Sequence, residues 1–196
     1  MRAKKMIPFY LVGAVVFIVL FWLLFGNLIT LRSCTNKDLE VFNSGSLEVP
    51  GTAYYTESDM PEFVKEMLAE DEQTEDDFMS IISQYLYFER TKIHGFLNGN
   101  TVEYTVYAPD MESWILNLNP QEEYTEEELF EEMVRYIPDA PIREQTITVE
   151  YLRKGLFKWE GNYETREFAD AVSGGINSAY NKIYNAAMEE LEETLS

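Results

Sequence analysis

Between Lys5 and Arg32 the chain runs for 26 residues without a charge, MIPFYLVGAVVFIVLFWLLFGNLITL. So long an apolar run has to be helical and covered. At about 1.5 Å per residue, Ile7–Phe25 form a helix about 28 Å long, close to the hydrocarbon thickness of a bilayer. A helix also satisfies its own backbone polar groups, as lipid requires. Tyr10 and Trp22 lie toward opposite ends, where amphipathic rings favour the interface. Pro8 falls in the first turn, where a missing N–H costs little. The run therefore predicts a transmembrane helix over 7–29, with a basic stub at 1–6 and Ile7–Phe25 in contact with the membrane. Arg2, Lys4 and Lys5 outnumber Arg32 and Lys37 on the far side, so the positive-inside rule puts the N-terminus in the cytoplasm. The rest of a single-pass cell-membrane protein would then be extracytoplasmic. A cleaved signal peptide would have a shorter apolar core and a small-x-small site, which this run lacks.

Cys34 is the only cysteine. It excludes an intrachain disulfide, so the core alone must hold the fold. Leu31, Ser33 and Cys34 resemble a bacterial lipobox, which makes Cys34 a candidate for lipidation, although Arg32 departs from that pattern. The alternatives are a free thiol or one paired with a second copy.

Charge narrows the partners. All 35 acidic residues lie at or after Asp38, against ten of the 15 basic ones. Such a surface repels phosphates, which argues against nucleic acid and favours a basic protein or cell-wall component.

Residues 30–56 read as a tether, with a short strand over Leu39, Val41, Leu47 and Val49. The acidic domain spans 57–196. Met60, Phe63, Val64, Met67 and Leu68 keep helical spacing, as do Phe78, Ile81, Ile82, Tyr85 and Leu86. Asn98-Gly99 predicts a two-residue hairpin turn pairing Ile93 with Tyr104 and setting His94 opposite Glu103. Arg90, Lys92, His94 and Phe96 then share the polar face. Asp110 caps a helix through Met111, Trp114, Ile115 and Leu118. Thr125 and Glu128 form a capping box for the next helix. A second hairpin turns at Arg153-Lys154-Gly155, pairing Tyr151 with Phe157 and Val149 with Trp159. A short helix closes at Gly174-Gly175, and a long one follows with apolar residues from Ile176 to Leu191. The expected fold is α+β: an N-terminal transmembrane helix, then an antiparallel sheet of two hairpins and at least four strands, packed with amphipathic helices.

The chemistry available is limited. His94 is the only histidine, and an exposed pair with Glu103 accounts for it. Zinc lacks ligands. Calcium needs only oxygen, and Asp71, Asp76 and Asp77 in EDEQTEDD are its candidates, without the spacing of an EF-hand. There is no phosphate loop and no dinucleotide fingerprint. Tyr104, Tyr151 and Trp159, with Trp114, are candidates to line a pocket between sheet and helices, the tryptophans serving the core first.

The stretch VEYLRKGLFKWEGNYETREFADAVSGG resembles the closing part of small extracytoplasmic cystatin-like or nuclear-transport-factor-like domains of uncharacterised bacterial membrane-anchored proteins or lipoproteins. Val149–Leu152, Gly155 and Lys158-Trp159 carry the likeness, over about a sixth of the chain. It implies a curved antiparallel sheet wrapped on helices, and no catalytic residue is carried over from it. The helix pair before this hairpin departs from the usual order.

The leading expectation is thus a non-enzymatic, membrane-anchored binding or interaction module of a bacterial cell envelope. The alternative is a small-molecule-binding or enzymatic domain using a sheet–helix pocket with carboxylates, or a calcium-responsive acidic domain. An enzyme calls for carboxylates buried together in a cleft; an interaction module calls for an exposed apolar patch.

Overall fold

The computed structural model describes residues 7–45, 80–95, 100–118, 124–155 and 157–195. Helix α1 covers Ile7–Phe42. The strands are β1 (Tyr87–Gly95), β2 (Asn100–Pro109), β3 (Ile142–Arg153) and β4 (Trp159–Asn162). Between β2 and β3 come α2 (Met111–Asn117) and α3 (Glu126–Tyr136); after β4 come α4 (Arg166–Val172) and α5 (Ile176–Leu195). The four strands form one antiparallel sheet in the order β1-β2-β3-β4. The α+β class with an antiparallel sheet of two hairpins is therefore what the chain adopts.

The anchor is corrected. The apolar run does not end in a tether: α1 continues unbroken through Arg32, Lys37, Asp38 and Glu40 as a helix of 36 residues. Leu31, Thr35 and Phe42, placed in the tether by sequence, are buried. The supposed outer end of the span is tied to the sheet, where Arg153 Nη1 donates to Asn27 Oδ1 at 3.1 Å and Trp159 Nε1 donates to Thr30 Oγ1 at 2.9 Å. Among the described residues no helix is long and apolar enough to cross a membrane. The bilayer contact of Ile7–Phe25, the single-pass cell-membrane placement and the membrane-anchored envelope module fall with the span. Leu39 and Val41 belong to α1 rather than to a strand. Leu47, Val49, the helix from Met60 to Leu68 and the acidic cluster lie outside the described residues, as does the Asn98-Gly99 turn.

One face of the sheet carries Phe88, Val102, Tyr104, Val106, Ile147, Val149, Tyr151 and Trp159, all buried. The second half of α1 lies on it through Leu31, Cys34, Leu39 and Phe42, joined by Phe168, Ala171 and Val172 of α4. A smaller cluster of Ile82, Met111 and Ile137 gathers Trp114, Met133, Tyr136 and Ile176.

Both hairpin registers differ from expectation. Arg153 faces Trp159 and Tyr151 faces Gly161, which leaves Phe157 in the loop, 65 % exposed. The slip relative to the expected register is four residues, and an even slip keeps every side chain on its face. Val149, Tyr151 and Trp159 therefore share the core face as anticipated. In the first hairpin Ile93 faces Val102, and the register shifts between Arg90 and Lys92. Thr91 is the extra residue of this β-bulge. On α5 the anticipated buried stripe is shorter, since Ile183, Tyr184 and Met188 are exposed.

The capping predictions hold in detail. Asp110 accepts from Ser113 N, and Thr125 with Glu128 forms the full capping box. The turn after α4 is tighter. Gly174 has φ +69°, its carbonyl accepts from Met111 N and Glu112 N, and a β-carbon there would meet the Pro109 carbonyl. Gly174→Ala combines left-handed strain with that clash and should lower stability by about 1–3 kcal/mol or more. Urea denaturation of the full chain checks this; an unchanged midpoint would contradict the packing described here.

Candidate functional site

Four polar side chains converge beneath α1. Tyr104 comes from β2, Tyr151 from β3, Tyr163 from just past β4, and Asp38 from α1. Tyr104 and Tyr151 hydroxyls lie 2.6 Å apart, and Tyr151 and Tyr163 hydroxyls 2.7 Å apart. Tyr151 and Tyr163 each reach Asp38 Oδ2, at 2.8 and 2.9 Å. Gly161 makes this possible: it stands opposite Tyr151 and the Tyr163 ring packs where its side chain would be. Three hydroxyl protons serve four contacts, so donor roles can exchange around the Asp38–Tyr151–Tyr163 ring. Burial first of all pushes all three phenols well above their ordinary range; the Asp38 charge adds to it for Tyr104 and Tyr163, and the neighbouring phenols for Tyr151. They are neutral donors at ordinary pH, a clasp rather than a set of bases.

Of the sequence candidates, Tyr104 and Tyr151 meet here, and Trp159 lies on the same face against Thr30. They belong to the core cluster under α1, which packs directly on their face of the sheet. Trp114 stands apart, stacked on Tyr136 with ring centroids 6.2 Å apart. Cys34 Sγ donates to the Trp159 carbonyl at 3.4 Å. Burial, with Asp38 second, pushes its thiol up, which makes it a poor nucleophile. His94 is exposed and meets Glu103 Oε1 at 2.9 Å. Asp71, Asp76 and Asp77 lie outside the described residues, and among the described ones no three His, Cys, Asp or Glu side chains group to hold a metal.

A buried and a half-buried carboxylate do occur together, but in ion pairs. Arg143 lies between Glu112, in close contact, and Asp170 at 3.5 Å, while Lys182 closes on Glu112. Asp170 also accepts from Ser178 N and Ser178 Oγ, both at 2.8 Å. Every partner is matched to another, which describes a brace between α2, β3, α4 and α5.

The open site is elsewhere. A groove of about 390 Å³ runs between α1 and β1, lined by Leu28, Ile29, Arg32, Arg90, Thr91, Lys92 and Ile93. Three of these are cations and none is acidic. Arg90 is held in place: its Nη1 donates to Thr35 Oγ1 at 2.5 Å, Asn36 Oδ1 at 2.7 Å and the Arg32 carbonyl at 3.4 Å. No carboxylate pairs with Arg90 or Arg32 among the described residues. Lys92 has a loose, exposed contact with Glu103 at 3.9 Å. The bulge supplies the geometry. Phe88 is buried against the core and Ile93 packs on the same cluster. Strict alternation from Phe88 would turn Ile93 away; absorbing Thr91 restores it to the face shared with Arg90. Sequence reading placed Arg90 on the opposite face from Ile93 for want of this bulge. It also passed over Asp38 and Tyr163. The one visible signal was three basic residues in the short stretch from Arg90 to Lys92 and at Arg32, in a chain of net charge −20.

No protein family, curated protein or solved structure matches this chain.

Two outcomes test the clasp. Tyr151→Phe removes the hydroxyl that meets Tyr104, Tyr163 and Asp38 and should destabilise by about 1–3 kcal/mol, read from denaturant midpoints. The pH dependence follows from the raised phenols. Below the unfolded value of about 10 their contribution is fully present. As pH rises past that value toward the higher folded ones, the unfolded state sheds protons first and stability falls. Phenolate absorbance of these three tyrosines should therefore appear together with unfolding; their titration in a folded chain near pH 10 would contradict the burial.

Proposed function

We propose that this domain is a small-molecule-binding module, taking an anionic amphipathic ligand in the groove between α1 and β1. One observation carries the reading: Arg32, Arg90 and Lys92 converge beside Leu28, Ile29 and Ile93 around an open volume of about 390 Å³. The pre-oriented Arg90 fork suits a carboxylate or phosphate, with less ordering cost on binding than a free arginine. Leu28, Ile29 and Ile93 offer an apolar wall for the remainder of the ligand. The pocket lies between sheet and helix, as the alternative expectation had it, but its sign is reversed: cations rather than carboxylates line it. The lining supplies binding groups, one hydroxyl among them, and no general base. The long helix along a four-stranded antiparallel meander supports kinship with cystatin-like or nuclear-transport-factor-like folds as part of the same proposal.

Calorimetry on the full chain with decanoate, and with decyltrimethylammonium of equal chain length, separates local from global charge. Decanoate should bind saturably and more tightly despite the chain's net charge of −20. Arg32→Glu with Lys92→Glu should weaken it at least ten-fold, and added salt should do the same progressively. Tighter binding of the cation, or indifference to both substitutions, would sink the reading.

A further inference from the structure

Strand β1 is the outer strand of the sheet and bonds to β2 along one side only. Among the described residues its other side is closed at one point. Asn43, one residue past α1, donates Nδ2 to the Phe88 carbonyl at 3.0 Å and accepts Phe88 N–H at 2.7 Å through Oδ1. A side-chain amide thus stands where the peptide group of a fifth strand would stand. Antiparallel alternation makes Arg90 the next residue whose N–H and C=O point to this side, and, past the bulge, Ile93. Among the described residues no side chain takes up those groups. The same edge borders the groove whose opposite wall is Leu28, Ile29 and Arg32.

An open strand edge beside a helix flank, with an apolar wall and three cations, is the setting for strand addition. We infer that the natural occupant of the groove is an extended acidic peptide segment of another protein, which adds to β1 as a fifth strand; this rests on the anionic-ligand reading above. Its backbone pairs with Arg90 and Ile93. An acidic side chain meets Arg32, Arg90 and Lys92, and an apolar neighbour lies on Leu28, Ile29 and Ile93. From Arg90 to Gly95 the open edge is about 15–20 Å long, room for four or five guest residues. Charge complementarity selects the guest. The chain as a whole repels acidic segments, and this edge offers such a segment two arginines that no carboxylate pairs among the described residues, with Lys92 held only loosely by Glu103 at 3.9 Å. A bulge and a lysine on an outer strand keep flat apolar strands away; an acidic guest turns that same charge into attraction.

The test uses the full chain and a capped peptide, acetyl-VEVDV-amide, alongside two versions N-methylated at alternate residues, one in each frame. Binding should protect the Arg90 and Ile93 amides from hydrogen exchange at least ten-fold. One N-methylated frame should lose at least ten-fold in affinity, the other much less. Lys92→Glu, at an exposed position that leaves the fold intact, should weaken the peptide at least ten-fold. If both N-methylated peptides bind like the parent, strand addition is wrong while the groove stands. If decanoate binds and the peptide does not, the peptide class is wrong and the anionic-ligand reading survives. If neither binds, both are wrong.

Discussion

The position of α1 on the sheet is the constraint from which the remaining geometry follows. A helix of 36 residues laid along four strands buries Leu31, Thr35 and Phe42 in its second half, and apolar burial supplies the bulk of the attraction. That attraction has no direction, so it does not fix where along the sheet the helix sits. Polar contacts do. Asp38 reaches Tyr151 and Tyr163, Trp159 reaches Thr30, Arg90 reaches Thr35 and Asn36, and Asn43 reaches the Phe88 backbone. These contacts come from β1, β3, β4 and the segment after β4, so a slide of the helix by one turn breaks them all together. A buried polar group left without its partner costs more than a made hydrogen bond contributes. The groove is a by-product of that registration, because its two walls are the flank of α1 and the outer strand that Arg90 ties to it.

Charge is used differently in the two halves of the structure. Glu112, Arg143, Asp170 and Lys182 are drawn into one matched set at the α2–α5 corner, where desolvation is offset by mutual contact. Arg32 and Arg90 lie in the groove with no carboxylate partner among the described residues, and Lys92 has only a loose one in Glu103. A large negative net charge sets the long-range field, but within a Debye length of about 8–10 Å the nearest charges decide. A locally positive groove on an acidic chain thus rejects most anions at a distance and holds the few whose apolar part also fits.

How much of this could be read from residues depends on what each feature requires. The caps at Asp110 and Thr125 are local chemistry over four residues, so they were legible. The core face of β3 and β4 was legible because an even slip does not change faces, even though Phe157 left the expected pair. The end of the apolar run was misread. Arg32, Lys37, Asp38 and Glu40 looked like the start of a solvated tether because sequence shows charge but not the partner that takes it up. Asp38 is the case in point: it sits on the helix only because two tyrosines, over a hundred residues later, present hydroxyls to it. Tyr163 in turn needs the empty space of Gly161, and nothing in a single sequence announces that pairing.

The β-bulge at Thr91 shows why the groove itself was invisible. Period-two reading put Arg90 among the polar residues facing outward and Ile93 on the inner face, three positions apart and on opposite sides. One extra residue reverses that parity and sets a guanidinium and a branched aliphatic side chain next to each other against α1. Neither the residue types nor their spacing encode it. What selects it is the far side: Phe88 is already buried in the core and Ile93 gains by packing there too, while Arg90 finds Thr35 and Asn36 within reach on the helix. The Thr91 hydroxyl settles on the Glu103 carbonyl at 3.1 Å, so the residue that the ladder cannot pair still has a partner. Tertiary packing therefore decides the local register, and the register in turn builds the only stretch of outer strand where cations, an apolar wall and open backbone groups coincide among the described residues.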